Sequence, residues 1–308
     1  MLKRILTLIS IVFVVSGLAL AGNTATITQD GDDNTASATQ SGDLNTATID
    51  QIANDSSATQ SQTGNNNNAT ILQEGKWPDG PVFNESASQT QNGNNNVAEI
   101  KQITDSTHGG STAKQVQNSN GNYARAWQFS WNSTIIQKQS VGNNNELQAY
   151  QTGNAGYIKQ VQEGQDNIAA IDEQGGGGWT LGNTATQTQI GNWNKSLISQ
   201  YGTGGSKSAE GNEAHVVQNG SDNWAGEGLF GTGLFGIYQE GNYNYARIKQ
   251  NDNVNKAEAF QYGDFNTINI TQNGGSGLFG DYGDYVNKCV VTQTGDGNSG
   301  AVNQTYSP

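Results

Sequence analysis

A chain of 308 residues that is 33% hydrophobic and 13% charged falls well below the roughly 45–50% apolar and about 25% charged content of ordinary globular domains, which excludes an apolar core of normal size. Its 27 acidic and 14 basic residues leave a net charge of −13. That sign argues against nucleic acid as a partner, because phosphates are held by basic surfaces.

The first element in chain order is a leader. Lys3 and Arg4 precede an apolar run from Ile5 to Val15, followed by Ser16-Gly17-Leu18 and Ala19-Leu20-Ala21. This is the order of a secretory signal peptide, residues 1–21, with cleavage expected after Ala21. The apolar stretch is at the short limit for a membrane span. Export is therefore expected, and without Lys3 and Arg4 the mature chain carries −15. Its one cysteine, Cys289, has no partner for an internal disulfide.

Such a composition alone would leave a chain disordered, but from residue 22 to 308 the sequence is periodic. Asn23 to Gly31 recurs at Asn34 and in register at Asn45, Ser56 and Asn67, a period of 11 residues. Across short insertions the units continue from Glu85, Asn96, Ser111, Asn122, Ser133, Asn145, Gly156, Asn167, Asn183, Asn194, Asn212, Asn223, Asn244, Asn255, Asn266, Asn287 and Asn298.

Two kinds of unit alternate. The odd ones open with Asn23, Asn45, Asn67, Asn96, Asn122, Asn145, Asn167, Asn194, Asn223, Asn255 and Asn287. Their seventh residue is Gln29, Gln51, Gln73, Gln102, Gln128, Gln151, Gln200, Gln239, Gln261 or Gln293, with Glu173 the exception. Even units open more variably, yet their seventh residue is always Gln: Gln40, Gln62, Gln91, Gln117, Gln139, Gln162, Gln189, Gln218, Gln250, Gln272 and Gln304. The full repeat is thus about 22 residues, x-x5-Gln-x-Gly-x-x-Asn-x-Ala-x3-Gln, and one domain over 22–308 is expected to hold ten of them with half a repeat at each end.

Within a unit the residues alternate with period two, which predicts a strand. Positions 3, 5 and 7, such as Ala47, Ile49 and Gln51 or Ala185, Gln187 and Gln189, are expected to point inward. Positions 4 and 6, such as Glu99 and Lys101 or Arg125 and Trp127, are expected to face solvent. Gly and Asn carry the turns, where positive φ is tolerated. An inward Gln would be costly alone; if coils stack about 4.7–4.8 Å apart, each Gln or Asn amide meets the identical amide above and below, as in cross-β ladders. The predicted fold is all-β: a flattened two-sheet β-solenoid with cross-β stacking, unit n resting on unit n+2, roughly 50 Å tall.

The pattern resembles the curlin family, whose repeat reads Ser-x5-Gln-x-Gly-x-x-Asn-x-Ala-x3-Gln, as in Ser56-x5-Gln62-Thr63-Gly64-Asn65-Asn66-Asn67-Asn68-Ala69-x3-Gln73. The resemblance covers nearly the whole mature chain. It implies a secreted subunit of extracellular amyloid fibres (curli) that serve adhesion and biofilm matrix in Gram-negative bacteria. The partners it implies are further copies of the chain, a nucleator curlin, and an outer-membrane secretion pore with accessory proteins. The Gln and Asn residues named above would then be the ladders of the amyloid core. This chain departs from the family in having more repeats, which begin almost at the mature terminus. First-position Ser is replaced at Asn34, Glu85 and Gly156. Insertions fall near Pro78 to Asn84, Thr107 to Gly110, Gly178 to Gly182, Gly205 to Gly211, inside the Asn223 unit, and Gly277 to Val286.

No catalytic or metal constellation is readable, and no enzyme activity or cofactor is expected: His108 lies in an insertion, His215 at an outward position, and Cys289 replaces the usual Ala. Gly31-Asp32-Asp33-Asn34 and Gly295-Asp296-Gly297-Asn298 lack the tandem nonapeptide spacing of calcium β-rolls and read as turns that also act as charged gatekeepers against premature assembly. Trp127, Trp131, Trp193, Trp224, Tyr150, Tyr243 and Phe260 fall at outward or turn positions, where self-packing is the simplest expectation. Gly228-Leu229-Phe230-Gly231 and Gly277-Leu278-Phe279-Gly280 repeat one loop motif suited to lateral contacts. The alternatives to a major fibre subunit are a minor nucleating curlin and a monomeric ice-binding solenoid. Thr24 to Thr28 and Thr46 to Thr48 suit the latter, but Glu99, Lys101, Arg125 and Trp127 break the array.

Overall fold

Strands form here because side chains that alternate between Ala, Ile or Gln and Thr, Ser or charged residues can bury one row only when extended. The computed structural model describes residues 22–75, 84–104, 110–129, 131–152, 154–174, 182–201, 211–225, 236–273 and 287–305. Residues 1–21, read from sequence as a signal peptide, most residues of the insertions, His108, both Gly-Leu-Phe-Gly motifs and the last three residues lie outside them. Among the described residues every regular element is a β-strand.

The strands fall into two parallel sheets that share alternate units. The first sheet holds the odd units, from Thr24–Asp30 through Thr46–Ile52 to Asn287–Thr294. The second holds the even units, from Thr35–Ser41 through Ser57–Thr63 to Ser299–Thr305. Unit n pairs with unit n+2 with like residues in register: Ala25, Ile27 and Gln29 stand on Ala47, Ile49 and Gln51, and Ala58, Gln60 and Gln62 on Ala87, Gln89 and Gln91. One chain that winds between two parallel sheets in this way is a flattened β-solenoid. Eleven levels at about 4.8 Å give a height of roughly 50 Å.

The Asn223 unit shows how an insertion is absorbed. Its strand is cut into Trp224–Ala225 and Ile237–Glu240, yet both pieces pair with Lys195–Tyr201 below and Asn255–Tyr262 above. Gly236 donates its N–H to Leu197 O at 3.0 Å, so register resumes at once. The terminal units, read from sequence as half repeats, together complete the ends: Thr24–Asp30 and Thr35–Ser41 form one whole level, and Asn287–Thr294 and Ser299–Thr305 form the last. The choice of starting phase created the apparent halves.

The interior is a narrow column of small and branched side chains: Ala47, Ile49, Ala69, Ile71, Ile100, Ile135, Ile158, Ile198, Ile248 and Ile270 are all buried. The turns explain the glycines. At Gly164, with φ +112°, a Cβ would fall 1.8 Å from Gly191 O in the next coil, so the stacked turn has no room for another residue. Two positions further round, the residue before most opening Asn residues adopts φ near +55°. Asn66, Asn95 and Asn144 occupy it cheaply, but Leu44, Trp193, Tyr243 and Phe265 are held there as well. Stacking imposes the conformation at the cost of left-handed strain.

Alternation fails at Ala170 and Ser199, which are buried at outward positions, and again at two charged residues. Lys256 and Glu258 are at outward positions of Asn255–Tyr262 but are buried, with Lys256 Nζ 3.4 Å from Glu258 Oε1. The level beneath is the one interrupted after Ala225.

Candidate functional site

The seventh-position glutamines project into the core at every described level, and each does two things. One Nε2 proton goes to Oε1 of the Gln one coil further on: Gln40 to Gln62 at 2.8 Å, Gln62 to Gln91 at 2.9 Å, Gln91 to Gln117 at 2.9 Å. The same row continues through Gln139, Gln162, Gln189, Gln218, Gln250 and Gln272 to Gln304 without a gap. The other Nε2 proton crosses the core to a backbone carbonyl of the facing sheet, as from Gln62 to Thr46 O at 2.9 Å and from Gln162 to Glu146 O at 2.9 Å. A buried amide is thereby satisfied. It also ties two sheets and two coils together.

In the first sheet the row runs from Gln29 through Gln51, Gln73, Gln102 and Gln128 to Gln151. It resumes from Gln200 through Gln239 and Gln261 to Gln293. The backbone register places Glu173 between Gln151 and Gln200. Gln200 Oε1, fully buried, has no hydrogen-bond partner. A carboxylate has no N–H to offer that oxygen; an amide would.

A third row, not among the expected ladder residues, runs in the second sheet. Gln60, Gln89, Gln115, Gln137, Gln160 and Gln187 occupy the fifth position of six successive even units and form their own ladder at 2.8–2.9 Å. Gln60 Oε1 is left without a partner, because the preceding coil offers Ala38 at that position. The signal was present in the sequence as a second Gln two residues before the first.

The opening asparagines are also buried, but they work differently from the expected amide-to-amide ladder. Asn45 Oδ1 accepts the backbone N–H of Asn67 at 3.0 Å, and its Nδ2 donates to Gly64 O of the next turn at 2.7 Å. Oδ1 accepts the next coil's N–H in the same way at Asn23, Asn67, Asn96, Asn122, Asn145, Asn167, Asn194 and Asn223. Nδ2 reaches the next turn's carbonyl at Asn23, Asn67, Asn145, Asn167, Asn194 and Asn223, while Asn96 Nδ2 has no partner and Asn255 donates its N–H to Asn223. Direct amide pairing is added in the later coils, as from Asn167 to Asn145 at 3.1 Å. Of Asn287 only the backbone is described, paired with Asn255. Asn therefore stitches turns, because its shorter side chain reaches the neighbouring backbone.

Glu85, where other even units have Ser, Asn or Gly, is buried between Ser56 and Ser111 at that edge. Burial pushes its carboxyl up to about 7, opposed by the hydroxyl of Thr104, which donates to Oε1. Oε2 has no partner. Cys289 packs in the apolar column, where burial pushes its thiol up. His215 lies outside, its Nδ1 2.6 Å from Thr186 Oγ1 and its Nε2 2.6 Å from Glu213 Oε1.

The outward aromatics pack on one another. Trp127 meets Phe129 edge-on at 6.5 Å and Tyr150 at 6.4 Å. Arg125 lies 4.8 Å over Trp127, whose indole N–H donates to Glu99. Tyr243 and Phe265 stack at 4.6 Å on adjacent turns.

The family model described as the curlin-associated repeat matches residues 21–52 and 31–59. No curated protein matches the chain. Beyond the matched stretch, the Gln and Asn positions of the repeat recur in register through both sheets to the last level, so the likeness to the curlin-associated repeat extends along the stack.

Proposed function

We propose that the chain is a curli-type structural subunit that adds head to tail into extracellular fibres. The observation that carries this reading is the direction of the ladders. Each Gln Nε2 donates toward the C-terminal neighbour, so the N-terminal level ends in the acceptor oxygens of Gln29 and Gln40 and the C-terminal level in the Nε2 of Gln304. The strands of both end levels pair on one side only. An open strand edge is a template for another chain, and donors facing acceptors in matching phase favour heterologous addition that does not close. Family likeness further supports export through an outer-membrane pore of a Gram-negative cell, seeding by a nucleator, and a role in adhesion and biofilm matrix.

Purified mature chain should form filaments visible by electron microscopy, with a meridional reflection near ~4.7 Å. Removing residues 23–33 alone should slow elongation, since it puts a second-sheet strand first. Removing 23–33 and 298–308 together restores matching phase and should recover much of the rate. A chain that stays monomeric for days at high concentration, or that shapes ice crystals, overturns the reading.

A further inference from the structure

Charge on this acidic chain is segregated along the solenoid axis. Residues 22–75, the first two and a half coils, hold seven acidic side chains and no lysine or arginine. Asp32 and Asp33 are exposed on the first turn between the sheets, and Asp55 sits directly above them on the second, its N–H bonded to Asp32 O at 2.9 Å.

The outer face of the second sheet is of opposite sign three coils further on. Lys114, Lys138 and Lys159 are exposed on successive strands Thr112–Asn118, Thr134–Val141 and Tyr157–Glu163. In register, Lys114 and Lys159 flank Ile136, two levels or about 10 Å apart, while Lys138 stands between Val116 and Val161. Every other outward residue of the three strands is neutral until Glu163 at the final turn. Among the described residues none of the three lysines makes an ion pair.

The acidic corner and the basic face of one molecule lie on different sides and at least two levels, about 10 Å or more, apart; they cannot meet within a chain. Both carry charges at the same axial step. We propose that the Lys114–Lys138–Lys159 face docks the Asp32–Asp33–Asp55 corner of a second copy lying alongside, staggered by a few coils. This lateral contact rests on the fibre reading. One exposed ion pair is weak, but a contact repeated by every subunit along two filaments is multivalent, and it weakens steeply with salt.

The test is a charge swap. Wild-type filaments should bundle in low salt and separate in high salt, read as bundle width by electron microscopy and as low-speed pelleting. Lys114→Glu/Lys138→Glu/Lys159→Glu should give single filaments with unchanged elongation, and so should Asp32→Lys/Asp33→Lys/Asp55→Lys. Combining both sets should restore bundles. Bundling of the lysine variant like wild type, or single filaments from the combined variant, overturns the contact. Polyphosphate binding that the lysine variant loses while it still bundles would assign the face to an anionic polymer instead. Should the wild type form no filaments, the fibre reading falls. The contact is then read on soluble protein, where salt-sensitive dimers lost in each variant and regained in the combination support it, and monomers throughout overturn it.

Discussion

The two sheets are built from the same repeat and are not equivalent. The second carries an unbroken row of amides from Gln40 to Gln304 and, over six levels, a second row beside it. The first has one row, interrupted at Glu173, and one strand cut in two after Ala225. The second sheet is therefore the spine and the first the sheet that tolerates change. Buried amides favour a stack only when each has a neighbour to donate to and one to accept from; a single missing partner converts a bond into an exposed cost.

The comparison breaks most sharply at Gln162. Gln162→Leu keeps the volume but removes the donor to Gln189 and to Glu146 O and the acceptor for Gln139. A loss of about 4 kcal/mol is expected from these orphaned groups, measurable as a lowered melting temperature and as faster hydrogen exchange in the coils on either side. Gln200→Leu in the first sheet should cost only about 2 kcal/mol, because its Oε1 already lacks a partner. Equal losses would mean that the sheets are equally dependent on their ladders.

Glu85 sharpens the comparison by adding a pH term to the second sheet. Its folded value of about 7 lies above the ordinary 4.5, so the folded chain holds a proton that the unfolded chain releases. Stability should fall as pH rises from 4.5 to 7 and then level off, by on the order of 3 kcal/mol. Glu85→Gln should flatten this part of the pH profile in thermal melts followed across that window; an unchanged profile would mean that the carboxyl is hydrated.

The smallest effect is a gain. Glu173→Gln places an amide in register with Gln151 and Gln200 and should stabilise the first sheet by about 1 kcal/mol, seen as a raised melting temperature. A loss would show that the row is interrupted for a reason other than the missing N–H.

Much of this architecture is readable in the amino acids because stacking makes each residue's environment a copy of itself. Gln at position seven and Asn at position one mark strand faces, register and coil length together. Less readable is what an amide chooses to bond: Asn45 reaches backbone where Gln51 reaches its own kind, a difference of one methylene. Leu44 and Trp193 in left-handed turns run against local preference and follow only from the coils beneath them. The burial of Lys256 and Glu258 depends on packing outside their own repeat, so no period announces it.

The parallel register has a mechanical consequence. Backbone and amide bonds between coils all run along the axis, so a pull on the ends of the solenoid loads every bond across one interface at once rather than unzipping them singly. Interfaces then act as links in series, and the extension at which the solenoid yields is set by its poorest link. That link is the one between Ile168–Gln174 and Lys195–Tyr201, where Gln200 Oε1 receives nothing. A stretched molecule should part there, between its seventh and eighth odd units, leaving two shorter stacks each still held by its own amides.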